Sequence, residues 1–440
     1  MNIAFEISPL LLASGSFGDK SGVYRYHYGL IKAYGEYFKK NKINDKIVLF
    51  SFNRDLISFP LTRDIYKLLD NPAFKIINQL PSNNRTMNYY SNIFKIFIKP
   101  FLKVINKVFS FKKLYYFLIS DFYFKKYIKS LKIELKKYQV NIIFHSETSF
   151  YPLRGFKNVI TVYDLTPIIF PFFHREETRD LTQRKLNFTT RHCQGIVCIS
   201  EATKKDLLTQ YPGNNHKKIT ICYPGLDPVF SKDIYHSKLF EDLQIIAQQQ
   251  VTELKKRRYL LYYGTFEPRK NLSNLVESFV ELQKEKQIPN DFKLVLMGGD
   301  GWGKIKKGII NYVKENFPNK KKNNIIIFDF LNDIYLIALI KNAYAFTYPS
   351  FYEGFGLPVL ESMSLDTPVI CSNTSSLPEV GGDSVIYINP HDYYDLKEKI
   401  KFLINHPTAA KKLGVQGKMQ SSKFNWEKSS RQLYNFLQNM

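Results

Sequence analysis

The feature that most constrains the fold is a regular alternation of short apolar runs with longer helical patterns along the chain. Apolar runs of strand length occur in both halves, for example Ile3 to Ile7 and Tyr259 to Gly264. The second run is followed by a turn and then by an apolar-periodic helix from about Leu272 to Leu282. Such alternation is typical of parallel sheets covered by helices, and 440 residues with 44% hydrophobic content suffice for two cores. We therefore predict an α/β protein with two doubly wound sheets and a ligand in the crevice between them.

Two glutamates surround a glycine-bearing loop in the segment Ser350 to Ile370, SFYEGFGLPVLESMSLDTPVI. Pro358 suits the first turn of a helix, because its missing N–H needs no partner there. The N–H groups at a helix start favour an anion, and the two glycines would let the backbone approach it closely. Carboxylates at Glu353 and Glu361 indicate a ligand with hydroxyls as well as phosphate, which describes a nucleotide sugar. The alternative is a tight loop before an ordinary core helix.

A pair of cations follows the predicted strand at Tyr259 to Gly264. The turn TFEPRKNL places Arg269 and Lys270 between this strand and the next helix. Arginine can bind phosphate bidentately and lysine acts as a point charge, so the pair suits a diphosphate. We expect both side chains to be exposed at the strand end. The alternative is a solvated pair on the surface.

Together these two segments closely resemble the retaining family 4 glycosyltransferases, in particular their mannosyltransferase-like branch. That family has the GT-B fold, in which two Rossmann-like domains face a central cleft. The resemblance implies that Arg269 and Lys270 neutralise the diphosphate of the donor. It also implies that Glu353 contacts hydroxyls of the transferred sugar, while Glu361 accepts hydrogen bonds from the ribose.

The acceptor side is implied by the segment NVITVYDLTPIIFP, residues 158 to 171. By resemblance, Asp164 orients groups near the acceptor. Many relatives have a histidine before this Asp that faces the reacting sugar, and here the position is Tyr163. A tyrosine hydroxyl can hydrogen-bond a sugar, but it does not accept a proton near neutral pH as histidine does.

Further donor-binding residues are implied near the N-terminus and at the strand ends of the C-terminal half. The segment SGVYRYHYGL resembles a glycine loop that reaches the donor phosphates, with Tyr24 where a second glycine is frequent. The backbone around Phe330 and Leu331 should border the nucleotide base. The full set implied for donor binding is Gly22, Arg25, Gly264, Gly298, Phe330, Leu331, Gly354, Phe355, Gly356, Leu357 and Glu361.

The same resemblance predicts the domain limits. Residues 1–225 would form the acceptor-side domain, with a basic aromatic insertion at about 89–138. Residues 226–257 would form a linker, and residues 258–423 the nucleotide-sugar-binding domain. Residues 424–440 would form a helix that returns to the N-terminal domain.

Much of the net charge of +24 lies between Tyr89 and Tyr138, where lysines alternate with aromatic and aliphatic residues. On a helix the lysines at positions 95, 99, 103 and 107 would form one cationic stripe beside apolar faces. Such a stretch suits an anionic membrane surface, and no uncharged run is long enough to span a bilayer. A soluble insertion whose lysines face water is the alternative. Nucleic-acid binding is a further alternative for this segment, but the sequence shows no stacking module or recognition fold that would support it.

We therefore predict a retaining, metal-independent glycosyltransferase that uses a nucleotide-diphosphate sugar. The segments EPRKNL and TVYDLTP resemble the mannosyltransferase-like branch, which implies mannose from GDP-mannose and leaves UDP sugars and other GDP sugars open. The acceptor would be a glycan or lipid-linked oligosaccharide in bacterial surface polysaccharide or lipopolysaccharide synthesis. We expect no cofactor, no metal, no nucleic-acid partner, and a cytoplasmic location at the inner face of the plasma membrane. The alternatives are a GT-B sugar-nucleotide epimerase and a non-enzymatic membrane- or nucleic-acid-binding protein.

Overall fold

Two parallel sheets form the frame of the structure, a computed structural model that describes residues 1–12, 22–53, 61–77, 111–147, 149–231, 240–242, 254–317 and 324–440. The strands are β1 Asn2–Glu6, β2 Ile47–Phe50, β3 Phe74–Ile76, β4 Val140–His145, β5 Lys157–Val162, β6 Gly195–Cys198, β7 Lys218–Ile221, β8 Tyr259–Tyr263, β9 Lys293–Met297, β10 Ile325–Phe328, β11 Ala345–Tyr348, β12 Val369–Ser372 and β13 Ile386–Ile388. The first sheet has the order β3-β2-β1-β4-β5-β6-β7, and the second has the order β10-β9-β8-β11-β12-β13.

Helices connect these strands on both faces of each sheet. Those within the described residues are α1 Ser8–Leu12, α2 Gly22–Lys40, α3 Arg63–Leu69, α4 Phe111–Lys137, α5 Thr166–Ile169, α6 Glu176–His192, α7 Glu201–Gln210, α8 Leu272–Lys284, α9 Ile305–Asn316, α10 Asp333–Asn342, α11 Leu357–Ser364, α12 Leu377–Gly381, α13 Tyr393–Asn405, α14 Pro407–Ser421 and α15 Trp426–Gln438. The predicted α/β class with two doubly wound parallel sheets is confirmed.

The apolar runs became strands because both faces of a parallel sheet are covered. All five residues of β8 are buried, and its neighbours β9 and β11 are buried almost as completely. A strand covered on both faces reads as a continuous apolar run instead of an alternating one. Helix α8 is instead amphipathic: Leu275, Val276 and Phe279 are buried on its core face, while its charged residues are not buried.

The strand orders place one reversal point in each sheet, and ligands of doubly wound sheets bind at such points. In the first sheet the order reverses between β1 and β4, and in the second between β8 and β11. The predicted site residues Arg269 and Lys270 follow β8, while Glu353 follows β11. The second reversal point therefore brings together two segments that are far apart in sequence.

The last helix, α15, packs against α2 of the first sheet. The ring of Trp426 leaves no room for a side chain at Gly29, where an added Cβ would lie 2.4 Å from it. Further along, Tyr434 contacts Tyr37 with 5.1 Å between ring centroids. The domain limits given above stay a prediction.

The cationic stripe at positions 95, 99, 103 and 107 lies outside the described residues. The C-terminal part of the basic segment forms α4, whose residues Tyr127, Ile128, Leu131 and Leu135 are buried. These side chains belong to a cluster with β2 and β4, so this end of the segment is part of the sheet's helical cover. None of the helices within the described ranges combines the length and the hydrophobicity that crossing a membrane requires.

Candidate active site

Two glycines bring the ends of β8 and β9 into close contact. Gly264 and Gly298 have φ of 145° and 155°, which L side chains rarely adopt. An added Cβ on Gly298 would lie 2.0 Å from the carbonyl oxygen of Gly264. These two predicted donor-binding residues therefore lie side by side, because only glycine permits this approach of one strand end to the other.

The two predicted phosphate-binding cations lie at the end of β8, but they are not exposed. Pro268–Lys270 forms a short 3₁₀ turn, and Asn271 leaves it with φ of 57° before α8 begins. The side chain of Arg269 is 17% exposed, and Lys270 as a whole is 5% exposed. The expectation that both would be solvent-exposed was wrong, because the loop after β11 folds over them.

Glu353 is the residue that binds both cations. Lys270 Nζ lies 2.6 Å from Glu353 Oε1, and the Arg269 guanidinium donates to Oε2 at 2.9 Å. Burial opposes ionisation of Glu353, but the positive charges of Arg269 and Lys270 outweigh it and lower the pKa to about 2. Glu353 is therefore a carboxylate at every physiological pH.

The neighbours of this cluster balance its charge. Arg269 also donates to Glu267 at 2.9 Å, and Lys270 donates to the Tyr348 hydroxyl at 2.6 Å. The buried Lys270 and the largely buried Arg269 thus face two carboxylates, Glu267 and Glu353. An incoming diphosphate would have to compete with these carboxylates for the cations, since the site holds no excess positive charge of its own.

Glu361 lies in the first turns of α11, which starts at Leu357 with Pro358 in its first turn, as predicted. The hydroxyl of Tyr263 donates to Glu361 Oε2 at 2.7 Å, and Arg25 donates to Oε1 at 3.0 Å. Burial raises the pKa of Glu361 to about 7, against the opposing effects of Arg25 and Tyr263. This carboxyl group therefore titrates near neutral pH.

Arg25 links α2 to the second sheet. Besides Glu361, its guanidinium donates to Asp333, the first residue of α10, at 2.6 Å. Arg25 was predicted to reach the donor phosphates, and in the structure it binds Glu361, the residue that was predicted to accept hydrogen bonds from the ribose. Gly22 lies nearby, because an added Cβ there would be 3.9 Å from Leu357 Cδ1.

The loop before α11 uses its glycines for protein contacts. An added Cβ on Gly354 would lie 2.5 Å from the Tyr163 carbonyl oxygen, and one on Gly356 would lie 2.6 Å from Leu377. The side chain of Phe355 is buried against Tyr223. The space that a side chain would need at each glycine is filled by protein, and Gly354 brings the Glu353 loop against the end of β5. The predicted role of these glycines in ligand binding stays a prediction.

The acceptor-side residues stand at that end of β5. Asp164 accepts a hydrogen bond from the backbone N–H of Thr166 at 3.0 Å. The ring of Tyr163 is buried between Tyr26, at 5.3 Å between centroids, and Lys185, whose Nζ lies 5.8 Å from the ring centre. Its hydroxyl has no hydrogen-bond partner among the described residues. Asp164 lies next to Gly354, where an added Cβ would be 3.1 Å from Asp164 Cβ.

The loop after β10 presents an aromatic side chain to solvent. Phe330 is 71% exposed, and Leu331 beside it is half-buried. The prediction that the backbone here borders the nucleotide base stays a prediction, and an exposed ring at a strand end is of a kind that can stack on a base. A cavity of about 660 Å³ opens beside Glu361 and Arg25, and the rings of Tyr24 and Tyr28 line it from α2.

Sequence reasoning missed several residues of this site. They are Glu267, Tyr263, Tyr348 and the role of Asp333. Glu267 stands in the EPRK turn, two residues before Arg269, and this position in the sequence could have identified it. The two tyrosines lie in buried strands, where nothing in the sequence separates them from core residues. Among the described residues, no three His, Cys, Asp or Glu side chains come together where they could hold a metal ion.

Two family models match this chain. The one described as "Glycosyl transferases group 1" matches residues 244–420, and the one described as "Glycosyltransferase Family 4" matches residues 99–230. The O-antigen chain mannosyltransferase B of Escherichia coli is 28% identical over 295 residues, which are 67% of this chain and 73% of the relative. The serotype-specific mannosyltransferase WbdA of Escherichia coli is 31% identical over 208 residues, 43% of this chain and 24% of that longer protein.

Solved structures show the same architecture. Anabaena HepE, crystallised with UDP and glucose, superimposes with a TM-score of 0.60 at 13% identity, and the match covers 100% of both chains. At this identity the likeness establishes the fold alone, which is GT-B.

Proposed function

Because the chain belongs to the family 4, group 1 glycosyltransferases and resembles their mannosyltransferases, we propose that it transfers mannose from GDP-mannose with retention of configuration. The acceptor is a glycan or lipid-linked oligosaccharide of bacterial surface polysaccharide synthesis. The names of the relatives, which include an O-antigen mannosyltransferase, support this substrate class.

The observation that carries the proposal is the buried cluster of Arg269, Lys270 and Glu353 opposite Asp164. Burying two cations costs free energy unless a charged ligand or partner compensates their charge. A diphosphate can replace Glu353 as their partner, which would free the Glu353 carboxylate to accept hydrogen bonds from sugar hydroxyls. Binding of the donor would thus separate Glu353 from the two cations that it contacts in the structure.

The chemistry follows from this arrangement. The bond between the anomeric carbon and the diphosphate oxygen breaks, and the departing negative charge is stabilised by Arg269 and Lys270. The acceptor oxygen attacks the face of the sugar from which the diphosphate leaves, and the proton of the acceptor hydroxyl passes to the leaving phosphate. Asp164, across the cleft, orients the acceptor. The two fixed cations supply the positive charge, so the proposed reaction uses no metal.

A donor screen tests this function. Thermal unfolding with GDP-mannose, other GDP sugars and UDP sugars should single out GDP-mannose, since a ligand at a hundred times its dissociation constant stabilises by about 2.7 kcal/mol.

With that donor, we expect transfer to continue in excess EDTA, and NMR should show an α-linked product from the α-linked donor. Inhibition by EDTA that Mg²⁺ reverses would contradict the metal-free reaction, and an inverted anomer would contradict retention. Conversion of the donor to an epimer without acceptor would indicate the epimerase alternative.

We further propose that the basic segment Tyr89 to Tyr138, apart from the end of α4 that packs on the first sheet, holds the enzyme at the inner, anionic face of the plasma membrane. The support is its composition, because lysines attract acidic lipid while aromatic side chains enter the interface. Changing lysines 95, 99, 103 and 107 together to glutamine should abolish sedimentation with anionic vesicles and leave donor binding unchanged. Four exposed lysines elsewhere in the chain provide the matched control, namely Lys411 and Lys412 of α14, Lys423 of the turn after it and Lys428 of α15. Equal binding of neutral and anionic vesicles by the wild type would disprove the proposal.

A further inference from the structure

His174 has two ring nitrogens that no contact accounts for. It follows the short 3₁₀ turn Pro171–Phe173 on the acceptor side of the cleft. Both Nδ1 and Nε2 are shielded from solvent, and neither has a hydrogen-bond partner among the described residues. A shielded imidazole normally has at least one partner, so an unpaired one at a cleft points to a ligand.

Contacts across the cleft fix the position of this loop relative to the donor side. The ring of Phe173 stacks on Phe351, the residue two before Glu353, at 5.5 Å and 16°. The indole N–H of Trp302 donates to the Phe173 carbonyl, and the His174 ring lies 5.7 Å from the Trp302 ring. The imidazole is therefore held between the two halves of the site.

The charges around His174 are those of the active site. Burial, the largest effect, lowers its pKa; Asp164 opposes this effect and Arg269 adds to it. The ring therefore lies within electrostatic range of the acceptor-side carboxylate and of the predicted phosphate-binding arginine. At neutral pH the imidazole is uncharged, so it offers one N–H donor and one acceptor nitrogen.

We propose that His174 is a catalytic residue that hydrogen-bonds a hydroxyl of the sugar being transferred. Hydroxyls are the ligand chemistry that matches a neutral imidazole, because each can both donate and accept. This inference rests on the proposed function, since it takes the sugar of the donor as the ligand. Its ring and the Glu353 carboxylate would contact the transferred sugar from opposite sides of the cleft.

Calorimetry with GDP and with GDP-mannose separates the sugar contact from the nucleotide contacts. His174→Ala should bind GDP as the wild type does, but it should lose on the order of tenfold in GDP-mannose affinity, as expected for one hydrogen bond. Hydrolysis of GDP-mannose, in which water is the acceptor, should slow by at least a similar factor. Its rate is measured as the release of GDP. His174→Asn or His174→Gln should restore part of both, because an amide also donates and accepts. His216→Ala, at an exposed histidine, is the matched control and should change neither.

Each result decides the inference. Unchanged GDP-mannose affinity and hydrolysis in His174→Ala, with an active wild type, would overturn the role of His174 and leave the proposed function standing. Equal losses for GDP and GDP-mannose would also overturn it, because they would indicate a structural role. A wild type that turns over no nucleotide sugar would overturn the proposed function and this inference with it.

Discussion

Replacing Lys270 with alanine is expected to lower sugar transfer by on the order of a hundredfold or more, the loss typical of removing one group that stabilises developing negative charge. The same change should destabilise the folded protein by about 3 kcal/mol, because it removes one partner of a buried ion pair. Lys270 Nζ contacts both Glu353 and Tyr348 at 2.6 Å, so its loss leaves two buried groups short of a donor.

The measurements are the rate of transfer from GDP-mannose and the free energy of unfolding in urea. Lys270→Met fills much of the same space without a charge, so it keeps the activity test valid if the alanine variant folds poorly. Lys397→Ala is the matched control, because Lys397 also binds two carboxylates, Glu281 at 2.9 Å and Glu285 at 2.7 Å. Lys397 belongs to α13 and joins it to the end of α8, and it is not among the predicted site residues. The control should lose stability at most and keep its activity. Turnover near that of the wild type in both Lys270 variants would rule out the phosphate role.

The two glutamates are expected to affect different steps. Glu361→Gln should weaken binding of GDP itself by roughly tenfold or more, the range for a hydrogen bond to a charged group, because the ribose is present with or without sugar. Glu353→Gln should leave GDP binding close to wild type and lower transfer, because Glu353 is predicted to contact the sugar. Calorimetry with GDP and rate measurements with GDP-mannose distinguish the two. Equal losses of GDP affinity in both variants would mean that the roles are wrongly assigned.

The pKa of Glu361 adds a pH dependence to this test. Burial raises it to about 7, so the group is protonated below that pH and ionised above it. The ionised carboxylate is the better acceptor for ribose hydroxyls. The difference in GDP affinity between wild type and Glu361→Gln should therefore grow as the pH rises from 6 to 8, and titration of GDP itself cancels in the comparison. A difference that stays constant across this range would count against ionisation of Glu361 in ribose binding.

Arg25 shows how the contacts in the structure differ from the predicted ones. Its residue type fits a phosphate, and its place after a glycine at the start of α2 suggested that role. In the structure its guanidinium binds Glu361 and Asp333, which lie 336 and 308 residues further along the chain. Donor binding would have to break the contact with Glu361, because the ribose is predicted to occupy it. The sequence contains no local signal for this pairing.

Local sequence patterns determined the fold of this chain and the places of its site residues. Continuous apolar runs such as β8 predicted buried parallel strands, and Pro358 after two glycines predicted where α11 begins. Periodicity, turn residues and helix starts act within a few residues, so they can be read from the sequence directly. The position of Arg269 and Lys270 at a strand end followed in the same way.

Only the tertiary structure decided which charges meet. Glu353 and Arg269 are 84 residues apart, and they pair because β8 and β11 are neighbours at the point where the strand order reverses. The same adjacency buried Lys270, which the sequence predicted to be exposed, and cross-cleft contacts held His174 near Asp164 and Arg269. Burial and charge pairing depend on distances between segments that local patterns do not encode, so the residue types were visible in the sequence while their partners were not.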